Sequence, residues 1–437
     1  MNTKTERIGN SKPLALGATV AALAVFLFGM TAALSASELR LPDPLTTAGG
    51  DKVTSAEMWR QTRRPEILEL FRTHVYGRMP VGRPASLKFE VRETVRGVMD
   101  GAATRKQVKI SYRGPGGEGA INLVLFTPAK VRRAPCFLLI CNRGATNIDP
   151  TRVVKSGFWP AEQIVARGYA AAAFLNADVD PDRHDGFTNG VHGIFDSYGS
   201  QRPPDAWGTI AAWAWGASRV MDYLETDADI DARRVAVVGH SRGGKAALWA
   251  GAEDERFALV ISNDSGCGGA ALARRRQPKA ETIQAINQKF PHWFCDNYRR
   301  YGGKEDDLPV DQHMLAALIA PRLLYIASAT EDLWADPEGE FLCGVEASPV
   351  YRLFGLEGLN ATRQPSPDTP VQEGAIGYHL RTGKHDLTEF DWKCYLDFAD
   401  KHLAQRTNPG SSGSATEPST PAQAPPNVIK EHSRIWK

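Results

Sequence analysis

Val235-Ala-Val-Val-Gly-His-Ser-Arg-Gly-Gly-Lys245 reads as a buried strand that turns sharply into a helix, and this reading decides the fold. Four apolar residues run into Gly239, Ser241 is centred in Gly239-His240-Ser241-Arg242-Gly243, and Lys245-Ala-Ala-Leu-Trp-Ala-Gly continues as helix. A turn this tight needs small residues two places either side of its apex, because the apex residue is strained and its side chain is held above the sheet. A serine there is a candidate nucleophile. Gly-x-Ser-x-Gly is common by chance, and the strand before it and the helix after it are what give it weight.

Working outward, apolar strand runs occur at Leu87 to Val95, Thr104 to Tyr112, Ile121 to Thr127, Cys136 to Cys141, Ala170 to Leu175, Val235 to Val238, Ala258 to Ser262 and Leu323 to Ser328. Helical patterns at Ala206 to Glu225 and Gly244 to Ala252 separate later strands. Strands without intervening helices, followed by strand-helix repeats, describe an α/β sheet with an antiparallel leading edge. The expected fold is therefore the α/β-hydrolase fold: a mostly parallel central sheet with antiparallel leading strands in a three-layer αβα sandwich. No internal repeat at solenoid or propeller periods interrupts it.

The chain of 437 residues, 42% hydrophobic, is long enough to bury a large core. Its formal net charge of +2 equals that of Lys4, Glu6, Arg7 and Lys12 together, leaving no basic field for nucleic acid. Residues 1–36 join this charged start to an uncharged, mostly apolar run from Pro13 to Ala36. That order fits a secretory signal peptide cleaved between Ala33 and Ser37, or a membrane anchor if left uncleaved. Both forms place the folded part outside the cytoplasm, in the periplasm or secreted, with membrane contact only in the uncleaved form.

Residues 37–404 form the expected catalytic domain. It opens with an extension, Ser37 to Pro80, carrying a short helix at Ala56 to Val75 and ending in Tyr76-Gly77-Arg78-Met79-Pro80. Residues 405–437, rich in Pro, Ser and Gly, lack the apolar surface to order themselves and read as a disordered tail. The six cysteines match no zinc spacing, and a domain of this size needs no disulfide, so none is expected.

A serine hydroxyl is a weak nucleophile near neutral pH and needs a base, oriented by a carboxylate. In this fold the chain order is Ser, then acid, then His. After Ser241 come His292, His313, His379, His385, His402 and His432. His402 belongs to a terminal helix and His432 to the tail. His385 lies in Arg381-Thr-Gly-Lys-His-Asp-Leu-Thr, the last loop before the last helix (Thr388 to Leu403), where a base belongs. Its rival His379, in Gly377-Tyr-His-Leu, reads as strand. Asp332, after the strand Leu323 to Ser328, is the expected acid. Asp264, one strand earlier, stands in reserve, and Glu331 points away from Asp332.

Together with Gly239-His-Ser-Arg-Gly-Gly-Lys245, further stretches carry a family likeness: Asp254-Glu-Arg-Phe-Ala-Leu, Asn263-Asp-Ser-Gly-Cys-Gly-Gly269, Asn287-Gln-Lys-Phe-Pro-His-Trp-Phe, Asp311-Gln-His, Glu331-Asp-Leu-Trp-Ala-Asp-Pro and Gly383-Lys-His-Asp-Leu-Thr-Glu-Phe-Asp-Trp392. From Pro65 to Leu403 the chain resembles the glucuronoyl esterases, carbohydrate esterase family 15, and its bacterial branch in particular. The resemblance implies a serine esterase with neither metal nor cofactor. Such an enzyme cleaves the ester between (4-O-methyl)glucuronic acid of glucuronoxylan and a lignin alcohol through an acyl-enzyme. Ser241 and His385 keep the roles given above. Arg242 matches an oxyanion-stabilising arginine, Lys245 a lysine on sugar hydroxyls, Trp334 a tryptophan beside the sugar, and Glu281, more loosely, an acidic sugar ligand. His292 and Trp293 read equally as pocket wall or core.

Two departures from the fungal pattern stand out. Fungal members carry cysteines beside the serine and the histidine, where this chain has His240 and Asp386, so that disulfide cannot form. They also carry a glutamate where this chain has Asp264, and losing a methylene shortens the reach by about 1.5 Å. Asp332 is accordingly expected to be the triad acid, with Asp264 in support. The competing expectations are an acetyl xylan esterase, or another small-ester carbohydrate esterase, on the same triad, and a carbohydrate-binding protein without catalysis. A monomer is expected.

Overall fold

The computed structural model describes residues 39–199 and 201–403. The expected leader, 1–36, and tail, 405–437, lie outside the described residues. Nine strands are present: β1 (Lys88–Val98), β2 (Ala103–Gly114), β3 (Gly117–Pro128), β4 (Ala134–Cys141), β5 (Ala170–Leu175), β6 (Ile230–His240), β7 (Leu259–Asn263), β8 (Leu323–Ala329) and β9 (Ile376–Arg381). They form one sheet in the order β1-β2-β3-β5-β4-β6-β7-β8-β9. β1, β2 and β3 pair antiparallel, as do β3 and β5, and every pair from β5 onward is parallel.

Connection length explains the change of direction. Short turns such as Met99-Asp100-Gly101 allow only antiparallel neighbours, whereas the later strands are joined by helical crossovers. Burial follows from it. β4, β7, β8 and β9 are buried along their whole length, as parallel strands covered on both faces must be. β1, at the open edge, is mostly exposed and carries Lys88, Glu90, Arg92, Glu93 and Arg96, charges that discourage pairing with another chain.

Helices Ala161–Ala166, Thr209–Leu224, Arg242–Glu253, Pro337–Arg352 and Glu389–His402 cross between strands or close the sheet. All sixteen residues of Thr209–Leu224 are buried; Tyr112 of β2 packs edge-on against its Trp215, with ring centroids 5.0 Å apart. The extension is helical from Ala56 to Tyr76, with two stretches of π-helix. At its end Tyr76 stacks on Trp249 at 4.4 Å and donates to the Gly268 carbonyl at 2.8 Å. From Pro42 onward the chain forms one unit. Among the described residues no helix is long and apolar enough to cross a membrane.

β4 and β6 are neighbours whose connections leave in opposite directions, β4 to β5 and β6 to β7. In an open α/β sheet this divergence leaves a crevice beyond the carboxyl ends of the two strands. The turn that carries Ser241 stands at its rim.

Candidate active site

Ser241 has φ 57° and ψ −124°, and the helix Arg242–Glu253 begins at the next residue. An L-residue holds such a conformation only where its surroundings enforce it. Here the Ser241 N–H donates to the Asn263 carbonyl of β7 at 2.8 Å, and the Ser241 carbonyl accepts from Gly244 and Lys245 at 2.9 and 3.1 Å. Gly239 is required for contact: a Cβ there would sit 1.9 Å from the Gly243 carbonyl oxygen. The backbone N–H of Arg242, first in the helix, has no intrahelical partner and is a natural oxyanion donor.

His385 lies between β9 and the final helix, with its side chain 42% exposed. Its Nδ1 is 2.5 Å from Oδ2 of Asp332, which is buried after β8. The two loops are laced together by backbone: Thr330 N–H donates to the Arg381 carbonyl and Glu331 N–H to the Gly383 carbonyl, both at 2.9 Å. Glu331 itself is exposed. His379 is placed otherwise, fully buried within β9 with its ring nitrogens on Tyr325 Oη (3.1 Å) and Asp391 Oδ1 (2.8 Å). It does not line the cleft.

Asp264 lies at the end of β7 with φ 44°. Its Oδ2 accepts from the Asp386 N–H at 3.3 Å and lies 3.7 Å from Arg381 Nη2, while its Oδ1 has no hydrogen-bond partner among the described residues. Burial, with the neighbouring carboxyl groups of Glu340, Asp391 and Asp332, pushes its pKa well up against the pull of Arg381. Ligating atoms of Asp264, Asp332 and His385 all lie within 4.8 Å of one another, a donor set that two carboxylates and an imidazole could offer a metal ion. The short contact on His385 Nδ1 is a hydrogen bond that already uses that nitrogen.

On the other side of the serine, Arg242 Nη1 pairs with Asp182 Oδ2, and its guanidinium carbon lies 5.0 Å from the Trp293 ring centroid. Asp182 Oδ1 accepts from Trp293 Nε1 at 2.8 Å and from His292 Nε2 at 3.0 Å. Burial opposes ionisation of Asp182, but the His292 and Trp293 donors and the Arg242 charge outweigh it and hold the pKa down to about 2.

A cleft of about 320 Å³ joins these parts, lined among others by Ser241, Arg242, Lys245, Asp264, Glu281, Trp293, Asp332, Trp334 and His385. Lys245 is buried; its ammonium donates to the Ser265 carbonyl and lies 3.7 Å from Glu281 Oε2. Trp334 is 48% exposed, and its carbonyl accepts from the Glu281 N–H at 2.9 Å. The eight residues expected at the site thus all line one cavity. Trp293 lines the same cavity, and His292 is buried behind it. A larger cavity, about 430 Å³, shares the 330–336 loop but is lined by Arg275, Gln277, Lys279 and Gln364, with none of the groups of the serine cleft except that loop.

Three residues here were not anticipated in these roles. Asp182 sits in a loop with no motif. Glu340 is buried on helix Pro337–Arg352 and takes Ser265 N (2.7 Å), Gly266 N (2.9 Å) and Ser328 Oγ (2.7 Å), so it fixes the turn that carries Asp264. His240, noted only for replacing a cysteine, lies with its ring 4.4 Å from that of His385.

Comparison with known proteins identifies the family. Residues 143–355 match the family model described as glucuronyl esterase, fungi. A carbohydrate esterase from an unknown prokaryotic organism is 46% identical over 392 residues, covering 83% of this chain and 89% of the relative. A 4-O-methyl-glucuronoyl methylesterase of Schizophyllum commune is 32% identical over 329 residues, 73% of this chain and 75% of the relative. The solved glucuronoyl esterase of Solibacter usitatus superposes with a TM-score of 0.77 at 43% identity, over 83% of this chain and 97% of that one. With this identity and coverage, and with an α/β-hydrolase sheet carrying the serine turn, the chain belongs to the glucuronoyl esterases, carbohydrate esterase family 15.

Proposed function

We propose that this protein is a serine esterase that hydrolyses esters of (4-O-methyl)glucuronic acid on glucuronoxylan, with lignin alcohols as the departing group. The observation that carries the reading is the 2.5 Å contact between His385 Nδ1 and Asp332 in a cleft that also holds Ser241, Lys245 and Trp334. Ser241 Oγ attacks the ester carbonyl while His385 Nε2 takes its proton, and Asp332 fixes the tautomer and stabilises the imidazolium. Negative charge gathers on the carbonyl oxygen, facing the Arg242 guanidinium and its backbone N–H. Collapse of the tetrahedral intermediate expels the alcohol, which receives the proton from His385. Water, deprotonated by the same imidazole, then releases the glucuronate and regenerates Ser241.

Lys245 and Glu281 present a cation and an acceptor to sugar hydroxyls, and Trp334 offers an apolar face with an N–H edge. The mature enzyme works outside the cytoplasm, released from or held by its N-terminal segment, and as a monomer. The test compares benzyl glucuronate with an acetyl ester for the wild type and Ser241→Ala. Wild-type preference for the glucuronate and no turnover by the folded variant are expected. Turnover by a clean variant refutes the nucleophile, and a preference for acetate assigns the site to acetylated xylan.

A further inference from the structure

Asp182 lies just beyond β5, in a segment tied to the core: Trp213 Nε1 donates to the Asp180 carbonyl at 2.9 Å and Thr209 Oγ1 to Asp180 Oδ2 at 2.7 Å. Its carboxylate is divided between two tasks. Oδ1 receives Trp293 Nε1 and His292 Nε2, which fixes the plane of the group, and Oδ2 is left to face Arg242 Nη1. Arg242 would otherwise be a long side chain with several rotamers at the mouth of a cleft, and rotamer freedom is the quantity a preorganised oxyanion donor must not have.

We propose that Asp182 is a positioning residue for the esterase reaction: itself fixed by Trp293 and His292, it holds the Arg242 guanidinium in the cleft beside Ser241. The inference rests on the reading of Arg242 as the cation that meets the oxyanion. Two further observations support it. Arg242 Nε is buried and has no hydrogen-bond partner among the described residues, so the guanidinium is held through its Asp182 end alone. Its guanidinium carbon also lies 5.0 and 5.5 Å from the ring centroids of Trp293 and Phe290, which stack on each other at 3.7 Å with 4° between their planes, so it rests against the side of the stacked pair. The anchor is therefore a rigid wall with a carboxylate beside it. A lysine could not use that shape, because it lacks a planar fork with several fixed donors.

A double-mutant cycle tests it with benzyl glucuronate as substrate. Asp182→Asn retains an acceptor for His292 and Trp293 but turns its amide NH2 toward Arg242. It is expected to lower kcat about 10- to 100-fold with KM within about threefold, because the contact matters most where charge develops. Arg242→Ala alone should lower kcat about 10²- to 10³-fold. The double variant should be no worse than Arg242→Ala within about threefold, since the two residues act as one unit. A role confined to folding would multiply the two losses instead, which overturns the inference while leaving Arg242 intact. Wild-type kcat in Arg242→Ala overturns the reading of Arg242 and this inference with it. Should Asp182→Asn not fold, Trp293→Phe keeps the ring and removes one donor to Oδ1. It should lower kcat several-fold, and that loss should vanish in the Arg242→Ala background; an unchanged kcat overturns the inference.

Discussion

Replacing Asp332 with asparagine separates the two acids that crowd His385. In the transition state the imidazole is charged, and Asp332 Oδ2 lies 2.5 Å from its Nδ1. Unit charges centred about 4 Å apart interact by about 4 kcal/mol at an effective dielectric of about 20. At about 1.4 kcal/mol per factor of ten this amounts to about 10³ in rate. The His385 side chain is 42% exposed, so solvent screens part of it. An asparagine that presents its N–H to Nδ1 favours the wrong tautomer and adds to the loss. Asp332→Asn is therefore expected to lower kcat by about 10³, with little change in KM.

Asp264 cannot simply take over. Burial and neighbouring carboxylates push its pKa well up, so it gives up its proton later than an ordinary carboxylic acid and has less charge to offer. Asp264→Asn should cost about tenfold or less. Asp332 is one of the charges that raise the Asp264 pKa, so its removal lets Asp264 ionise more readily. The residual activity of Asp332→Asn should consequently rise with pH, as Asp264 becomes an acceptor for the imidazole. The assay is kcat and KM for benzyl glucuronate over a pH series, with thermal melts to show that each variant folds. A loss of about 10³ in Asp264→Asn with a near-normal Asp332→Asn would refute the reasoning.

Lys245→Met keeps the buried stem and removes the ammonium; at the usual worth of a charged hydrogen bond it should lower kcat/KM for the glucuronate ester about 10- to 100-fold while leaving a small acetyl ester within about threefold. Equal losses on both substrates would deny Lys245 its contact with the sugar acid. Glu340 is held as the neutral acid up to about pH 8 by burial, with Asp332 adding to the effect and the Ser328 and backbone donors opposing it. The unfolded chain loses that proton earlier, so the stabilisation is complete below about pH 4.5, shrinks from there and is gone once pH passes 8. Wild-type Tm should fall from pH 6 to pH 9, and Glu340→Gln should flatten that fall; an unchanged slope would show that Glu340 does not contribute it. The six cysteines are free and buried, and burial pushes Cys141 to about 11 and Cys267 to about 12. Alkylation should need denaturant, and a reductant should not move Tm.

Features encoded by neighbours in the chain were legible in the sequence. The nucleophile turn is local: Gly239 and Gly243 flank Ser241 because their backbones nearly touch, and the constraint is written within five residues. His385 and Asp332 were legible through order, since the fold fixes which loops reach the rim. All eight strands read from the sequence are present, with ends shifted by a few residues. β9 was noticed only through the strand-like surroundings of His379, and its glycine at 377 dilutes the apolar run. The helix Pro337–Arg352 was not seen, because Pro349 and two glycines break its pattern. Pro337 starts it without cost, having no N–H to lose in the first turn. With that helix unseen, Glu340 could not be placed against the Ser265 turn.

The contacts that complete the site are long-range and leave no local trace. Asp182 meets Arg242 across 60 residues and Trp293 across 111. The pair formed by His240 and His385 is the clearest instance. Sequence excludes a disulfide joining the nucleophile turn to the base loop, but it does not say what stands in its place. In the structure the His240 ring lies 4.4 Å from that of His385, and its Nδ1 is 2.6 Å from the Asn263 side-chain oxygen. Burial, then the nearby His385, push the His240 pKa well down, so it packs as a neutral ring. A neutral ring can support the base without competing for its proton or repelling the imidazolium, so at this point the two loops meet by ring packing, with His240 held by Asn263, rather than by a covalent link.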